Sequence, residues 1–350
     1  MSLMMDRRPL ISVVMPVYNR QRYVGAAIES MLAQTYRDFE FIIVDDGSRD
    51  ETVNVIKSFD DPRIRLVSLD ANRGISHALN VAIDMATGEI IARIDSDDIA
   101  LPQRLERQLA HMQANLQVGI CGSSVSWVNE EKKAIPVWQA GSSTAMCRAI
   151  LACDIPFGHP TWMVRRQVYE MSLYRSEMEP CEDYHLMVQV APYWQFASLQ
   201  EPLVVMREHP GRVSNTKLPL QPERHKHICR QFLDQVGVSW DDQQMNAWLH
   251  FSSFHKWPSV TLPEYISCIG DLIAELLSTN QRSGYLDQDA LRLMLARRWW
   301  GLCRSSSVQG MPIFSLYRHS PARWQGLLRL IREARMLSLC LGIGRDIRLG

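Results

Sequence analysis

The sequence predicts an α/β protein: a mostly parallel sheet with helices on both faces, followed by a C-terminal helical region. Three observations carry that expectation. Over the first 130 residues, short β-rich runs alternate with stretches of helical periodicity. Those runs are apolar almost throughout, as strands buried on both faces of a parallel sheet must be. Beyond about Leu218 the alternation stops and the chain reads as helical. The expected organisation is a tail over 1–9, an α/β domain over 10–218 and helices over 219–350, with Pro219, Pro222 and "ERHKH" at the boundary.

Each element has a local reason. "ISVVM" (11–15) is β-branched and apolar, and Pro16, lacking an N–H, is expected to end it. Val24 to Ala33 reads as a helix and "FEFIIV" (39–44) as the second strand. Ser48 and Glu51 have capping-box spacing, which places a helix start there. "IRLVSL" (64–69) is the third strand. Ile75, Ala78, Leu79, Ala82, Ile83 and Ala86 share one helical face, with Gly88 as the stop. "EIIARI" (89–94) is the fourth strand, and a helix from about Pro102 to Asn115 follows.

Composition narrows the class. The 38 basic and 38 acidic residues cancel, so no nucleic-acid partner is implied. The balance is local rather than uniform: from Arg292 onward there are eleven Arg, no Lys and two acids. Eight scattered Cys with no C-x-x-C pair read as free thiols in a reducing compartment. No signal-like segment or membrane-length apolar run is present, so a cytoplasmic location is expected.

Ligands of parallel sheets bind beyond the carboxyl ends of the strands. Three polar clusters fall there: "PVYN" after strand one, "DDGS" after strand two and "DSDD" after strand four. Each has a bland reading. Asp45-Asp46-Gly47-Ser48 is a turn and cap, or carboxylates aimed at a nucleobase. Tyr18 is a loop residue or a base-stacking one, and Arg20 or Arg22 is solvated or near phosphate. Asp95, Asp97 and Asp98 are harder to dismiss, because acids at that spacing repel unless a cation lies among them. Mg²⁺ or Mn²⁺ with a phosphorylated substrate fits, since hard dications take carboxylate and phosphate oxygens.

In order, "ISVVMPVYN", "FIIVDDGSRDET", "NRGISHALNVAIDMATGEIIARIDSDD" and "LPQRLERQ" resemble the inverting family 2 glycosyltransferases of GT-A fold, non-processive bacterial type. The resemblance continues through "FGHPTWMVRRQVYE", "EPCEDYHLMVQVAP" and "EPLVVMREHPGRVS", spanning roughly residues 10–215. It implies a Rossmann-like nucleotide-diphospho-sugar domain and a set of roles. Pro16, Tyr18, Asn19, Arg20 and one or both of Asp45 and Asp46 would hold the nucleotide. Asn72, Arg73 and Gly74 would line its pocket, with Arg73 near the phosphates. Asp95-Ser96-Asp97 is the family's D-x-D, Asp97 being the main metal ligand and Asp95 the ribose ligand. Asp183 would be the catalytic base beside Glu182. The residues alone would favour helix-dipole compensation by this acidic pair. His159 and Trp162 would shape the acceptor side, against a satisfied core histidine. His209, with Arg207, would complete the metal or diphosphate shell.

The implied reaction is transfer of a sugar from a nucleotide-diphospho-sugar, a UDP-sugar by family weighting, to a sugar or lipid-linked glycan acceptor with inversion. The competing readings are an inactive nucleotide-sugar binding module and a sugar-1-phosphate nucleotidyltransferase. The latter wants a glycine-rich loop after strand one, which "PVYNRQRY" lacks. The processive Q-x-x-R-W motif is missing at both Arg-Trp pairs, where Leu295 and Ser320 stand in the Gln position, so a single-addition enzyme is expected. Trp324, Leu327, Leu328, Ile331 and Ala334 form a helical stripe flanked by Arg. It packs on a core or sits peripherally on an anionic membrane face. "HKH" (225–227) reads as a solvated helix start.

Overall fold

The computed structural model describes residues 9–128, 134–138, 141, 143–212, 221–253, 263–307, 311–321 and 326–341. The chain divides into two compact units, 1–147 with 155–224 and 148–154 with 225–350.

The first unit opens with strand–helix repeats: β1 (Ile11–Val17), α1 (Val24–Leu32), β2 (Phe39–Asp45), α2 (Thr52–Lys57), β3 (Ile64–Ser68), α3 (Ile75–Met85) and β4 (Ile90–Arg93). β2 and β4 flank β1 in parallel, and β3 adds to β2 in parallel. After β5 (Ile99–Ala100) and α4 (Arg104–Ala114) come β6 (Val118–Val128), β7 (Ala134–Trp138), α5 (Thr144–Ile150), β8 (Met163–Arg165), α6 (Arg166–Met171), α7 (Glu182–Val190) and β9 (Gln195–Arg207). The sheet order is β3-β2-β1-β4-β8-β6-β9-β5, with β7 on β6. β8 runs antiparallel to both β4 and β6, so the sheet is parallel over its first four strands and mixed beyond them.

Alternation across β1 and β2 builds two cores. Val13, Met15, Phe41 and Ile43 pack with Ala27, Ile28 and Met31 of α1. Val14 and Ile42 turn to the other face, where α3 packs on both strands. Burying each such side chain contributes about 1.5–3 kcal/mol.

Two local expectations are corrected. β1 does not stop before Pro16 but runs through it, Pro16 pairing with Val44. Val14 accepts from Ile94 on the β4 side, so Pro16 also faces β4, beyond the last paired residue, Arg93. Its missing N–H therefore ends the β1–β4 ladder, while the β1–β2 ladder, bonded through alternate residues, continues to Val17. The Ser48–Glu51 capping box does not form: α2 begins at Thr52, and Asp50 rather than Ser48 accepts the Thr52 N–H at 3.0 Å. Ser48 Oγ instead accepts the Asn19 N–H at 2.9 Å, tying the loop after β1 to the loop after β2.

Three arginines buttress the sheet from below the site. Arg165 donates to Met112 O and Val118 O, and Arg166 to Ala86 O and Gly88 O, satisfying the carbonyls at the ends of α4 and α3. Arg104, fully buried, donates to Arg93 O at 2.5 Å and Trp162 O at 3.2 Å, which fixes the end of β4 against the 158–162 turn.

The second unit is helical: α8 (Gln221–Val236), α9 (Asp242–Ser253), α10 (Pro263–Ser283), α11 (Gln288–Ser305), α12 (Met311–His319) and α13 (Gly326–Cys340). Segment 148–154 belongs with it, because His225 Nε2 bonds Cys153 O at 2.7 Å and Trp248 Nε1 donates to Ala152 O at 2.7 Å. His225 is thus a buried helical residue, not a solvated start, while His227 is exposed. Trp324 and the side chains of Leu327, Leu328, Ile331 and Ala334 lie outside the described residues. All eight Cys are free thiols. Among the described residues, no helix is long and apolar enough to cross a membrane.

Candidate active site

A cavity of about 620 Å³ opens at the carboxyl ends of β1, β2 and β4, where the three polar clusters converge. Pro16, Tyr18, Asn19, Arg20, Asp46, Asn72 and Gly74 line one part of it. Asp95, Ser96 and Asp97 line another, and His159, Glu182 and Asp183 a third. Of the expected residues, Asp45, Arg73, Trp162 and His209 are not on its wall, the last set behind Asp97. Asp45 is turned inward, where it accepts the Ser48 N–H, and the Arg73 side chain is exposed. Trp162 is fully buried beneath His159, ring centroids 4.6 Å apart.

The nucleotide-side loops are shaped by backbone demands. Asn19 has φ of 50°, a left-handed conformation that Asn tolerates better than most residues, and its Oδ1 accepts the Arg49 N–H at 2.9 Å. Asp46 accepts the N–H groups of Arg73 and Gly74, both at 2.9 Å, so it holds the 72–74 loop over the cavity. Burial nevertheless raises its carboxyl above the ordinary range. Gly74 has φ of 95°, and a Cβ there would lie 2.7 Å from Glu179 Oε1. That same oxygen accepts the Ser76 N–H at 2.8 Å at the start of α3. Only glycine meets both conditions.

The acidic cluster after β4 is the electrostatic centre. One oxygen from each of Asp95, Asp97 and Asp98 falls within 4.8 Å of the others. Asp97 Oδ2 faces Arg20 Nε at 3.1 Å and His209 Nε2 at 3.0 Å. Burial pushes Asp97 upward, but His209 and Arg20 outweigh it and hold its pKa at about 2. Asp95 is raised by burial, with Arg93 opposing and Asp97 adding to the rise. Asp98 is raised well above the carboxylate range by burial and by both neighbouring acids. Asp98 Oδ1 accepts the Arg207 N–H at 3.1 Å, whereas its buried Oδ2 has no partner among the described residues. His209 is held by stacking on Tyr23, centroids 4.4 Å apart. Arg207 donates to Asp97 O and to Tyr23 O. An all-carboxylate donor set with one orphaned oxygen fits a hard dication such as Mn²⁺ or Mg²⁺.

The acidic pair at the start of α7 is differently placed. Glu182 is buried, and burial together with Asp183 raises its pKa to about 8. Its Oε2 has no hydrogen-bond partner among the described residues. His159 Nδ1 lies 3.8 Å from Glu182 Oε1 and 3.9 Å from Asp183 Oδ2. Burial, reinforced by Arg93, holds His159 well below its ordinary pKa, so its imidazole is neutral.

Arg93 joins the two acidic clusters, and the motifs do not point to it. Its guanidinium is 2% exposed, donates to Asp95 Oδ1 at 2.5 Å, and its buried Nε and Nη1 have no hydrogen-bond partner among the described residues. Burial opposes its charge, but Asp95 and the acidic groups of Tyr174, Glu182 and Asp183 retain it. The signal was a charge inside the apolar run "EIIARI". Arg212, also on the wall and stacked over Trp127 at 4.4 Å, and Tyr174, behind it, had no comparable signal.

Comparison with known proteins agrees with this geometry. Residues 12–172 match the pattern of "Glycosyl transferase family 2". The chain is 32% identical over 236 residues to the O-antigen biosynthesis glycosyltransferase WbnJ of Escherichia coli, covering 66% of this chain and 91% of that one. Its fold is similar to that of S. aureus TarS 1–349 in complex with UDP-GlcNAc (TM-score 0.55, 19% identity, 97% and 94% of the two chains). It is also similar to the mannosyltransferase PcManGT of Pyrobaculum calidifontis in complex with GDP-Man and Mn²⁺ (TM-score 0.51, 17% identity, 98% and 89%). A GT-A-like sheet, acids at its carboxyl rim and a relative matched over nine-tenths of its length lead to one conclusion: the chain is a glycosyltransferase of family 2.

Proposed function

We propose that the enzyme transfers a sugar from a UDP-sugar to a hydroxyl of a glycan acceptor, one unit at a time and with inversion at the anomeric carbon. The observation that carries this reading is that Asp95 and Asp97 share one cavity with Glu182 and Asp183. The likeness to an O-antigen biosynthesis enzyme supports a cell-envelope glycan as acceptor. A neighbour in complex with UDP-GlcNAc supports uridine as the base.

Pro16, Tyr18, Asn19, Asp46, Asn72 and Gly74 form the nucleotide side, with Asp95 and Ser96 at the ribose. Arg20 and Arg212 supply positive charge for the phosphates. Asp97, with Asp95, Asp98 and His209 around it, would hold Mn²⁺ or Mg²⁺, which supplies Lewis-acid neutralisation of the leaving diphosphate. Asp183 takes the proton of the acceptor hydroxyl, a step worth roughly 10²–10⁴-fold. With a single base and no second carboxylate acting as nucleophile, direct displacement inverts the anomeric centre.

The test is a thermal-shift screen of UDP-, GDP- and dTDP-sugars with Mn²⁺ or Mg²⁺. A stabilisation specific to UDP-sugars, removed by EDTA and absent in Asp97→Asn, is expected. Equal shifts with and without the dication, or in Asp97→Asn, refute the assignment of the ion to this cluster.

A further inference from the structure

Behind Glu182 and Asp183 lies a chain of buried groups that the transfer, as described, does not use. Tyr169 Oη is 3.1 Å from Tyr174 Oη, and Tyr174 Oη is 2.8 Å from His159 Nε2. Both tyrosines are 4% exposed. Trp162 packs against the imidazole on another side, which holds the ring in place. The opposite nitrogen, Nδ1, faces the two carboxyl groups at nearly equal distance.

The direction of the protons in this chain follows from counting donors and acceptors. His159 is neutral and carries one proton, and each tyrosine contributes one. Suppose the imidazole proton sat on Nε2. It would donate to Tyr174, Tyr174 would donate to Tyr169, and the buried Tyr169 proton would have no acceptor among the described residues. The Nδ1 lone pair would then face two carboxyl groups across 3.8 Å and 3.9 Å. A buried hydroxyl proton without an acceptor costs free energy, and so does a lone pair turned toward the negative charge of Asp183, which itself raises Glu182. In the reverse order, Tyr169 donates to Tyr174 and Tyr174 donates to Nε2. Both hydroxyl protons then have acceptors, and Nδ1–H faces the acids at 3.8 Å and 3.9 Å. Burial favours protonated hydroxyls on both tyrosines, so the donors remain in place at neutral pH.

We propose that Tyr174 is a positioning residue for the transfer: its hydroxyl, backed by Tyr169, fixes His159 as the Nδ1–H tautomer and presents one N–H to the Glu182–Asp183 pair. The role rests on the reading of Asp183 as base; the proton arrangement does not. The N–H is too far from either carboxyl for a direct hydrogen bond here, so it acts as an oriented dipole. It favours the anionic form of Asp183 and limits where that carboxylate can swing. Arg93 adds a positive field that bears on both groups. The neutral imidazole also does not compete with Asp183 for the acceptor proton.

The tautomer is read directly by long-range ¹H–¹⁵N correlation on the full chain labelled at histidine, with His159 assigned by its loss in His159→Gln. The expected wild-type pattern is a proton on Nδ1 and a bare Nε2. In Tyr174→Phe that proton should shift towards Nε2, and kcat should fall about tenfold, as when a group orienting a catalytic residue is lost. The donor KM should stay within about twofold, because the nucleotide side is untouched. Tyr169→Phe should show the same changes, smaller. A wild-type proton on Nε2 overturns the proposal, and that measurement needs no variant to fold. Wild-type kcat in Tyr174→Phe overturns it too. Full turnover in Asp183→Asn would instead remove the base while leaving the tautomer as measured.

Discussion

Two acidic clusters face the same cavity and are built on opposite principles. Asp95, Asp97 and Asp98 sit among Arg20, Arg93, Arg207 and His209, and Asp97 is held ionised with a pKa of about 2. Glu182 and Asp183 sit against a neutral histidine and two tyrosines that stay protonated, and Glu182 is pushed up to about 8. In the first cluster His209 and Arg20 hold Asp97 ionised, while burial and the neighbouring acids raise Asp98. The second concentrates repulsion and lets one member keep its proton. A site that binds a cation needs the former, and a site that moves a proton needs the latter. Arg93, bonded to Asp95 and sensed by Glu182 and Asp183, is the charge they share.

The largest effect should come from separating these functions. Asp183→Asn keeps shape and removes the base, so kcat should drop roughly 10²–10⁴-fold while the UDP-sugar thermal shift survives. Steady-state kinetics beside the shift assay decide it. Near wild-type turnover would mean that the second cluster does not move the proton.

The first cluster stands out in the sequence because repulsion is local: three acids within four positions are conspicuous whatever surrounds them. The sheet was legible for a similar reason, as apolar runs and helical periodicity are short-range signals. Elements that depend on remote partners were not. Ser48 and Glu51 have the spacing of a capping box, but Ser48 is engaged by Asn19 from another loop. Pro16 stays in its strand because the bonds to β2 come from alternate residues and continue to Val17. Trp162 supports His159 rather than lining the cavity, and Tyr174 reaches the site only through the fold. The antiparallel β8 joins two parallel groups by long-range pairing that no local pattern encodes.

Next in size is the shared charge. Arg93→Met removes a fully buried guanidinium and leaves Asp95 without its ion pair. Breaking one side of a buried pair typically costs 3–5 kcal/mol, and a loss of about that size is expected in urea unfolding. Arg93→Lys keeps a charge but not the fork, so it should recover only part of the loss. A variant as stable as wild type would show that the two clusters do not depend on a common counterion.

The smallest effect isolates the second cluster by its pH dependence. Glu182 has a folded pKa of about 8 against an ordinary value of 4.5, so the folded state binds the extra proton between those limits. Its contribution to stability is therefore complete below about pH 4.5 and is lost as pH rises through about 8. Over that window the wild-type protein should lose on the order of a few kcal/mol that Glu182→Gln does not lose. Gln mimics the protonated carboxyl in shape and neutrality, so at pH 5 the two proteins should unfold at nearly the same temperature. At pH 8.5 the variant should be the more stable. Asp97, depressed to about 2, is ionised throughout this range and adds no slope of its own, which makes the comparison clean. Parallel melting curves for the two proteins from pH 5 to 8.5 would place the proton of this pair elsewhere than on Glu182.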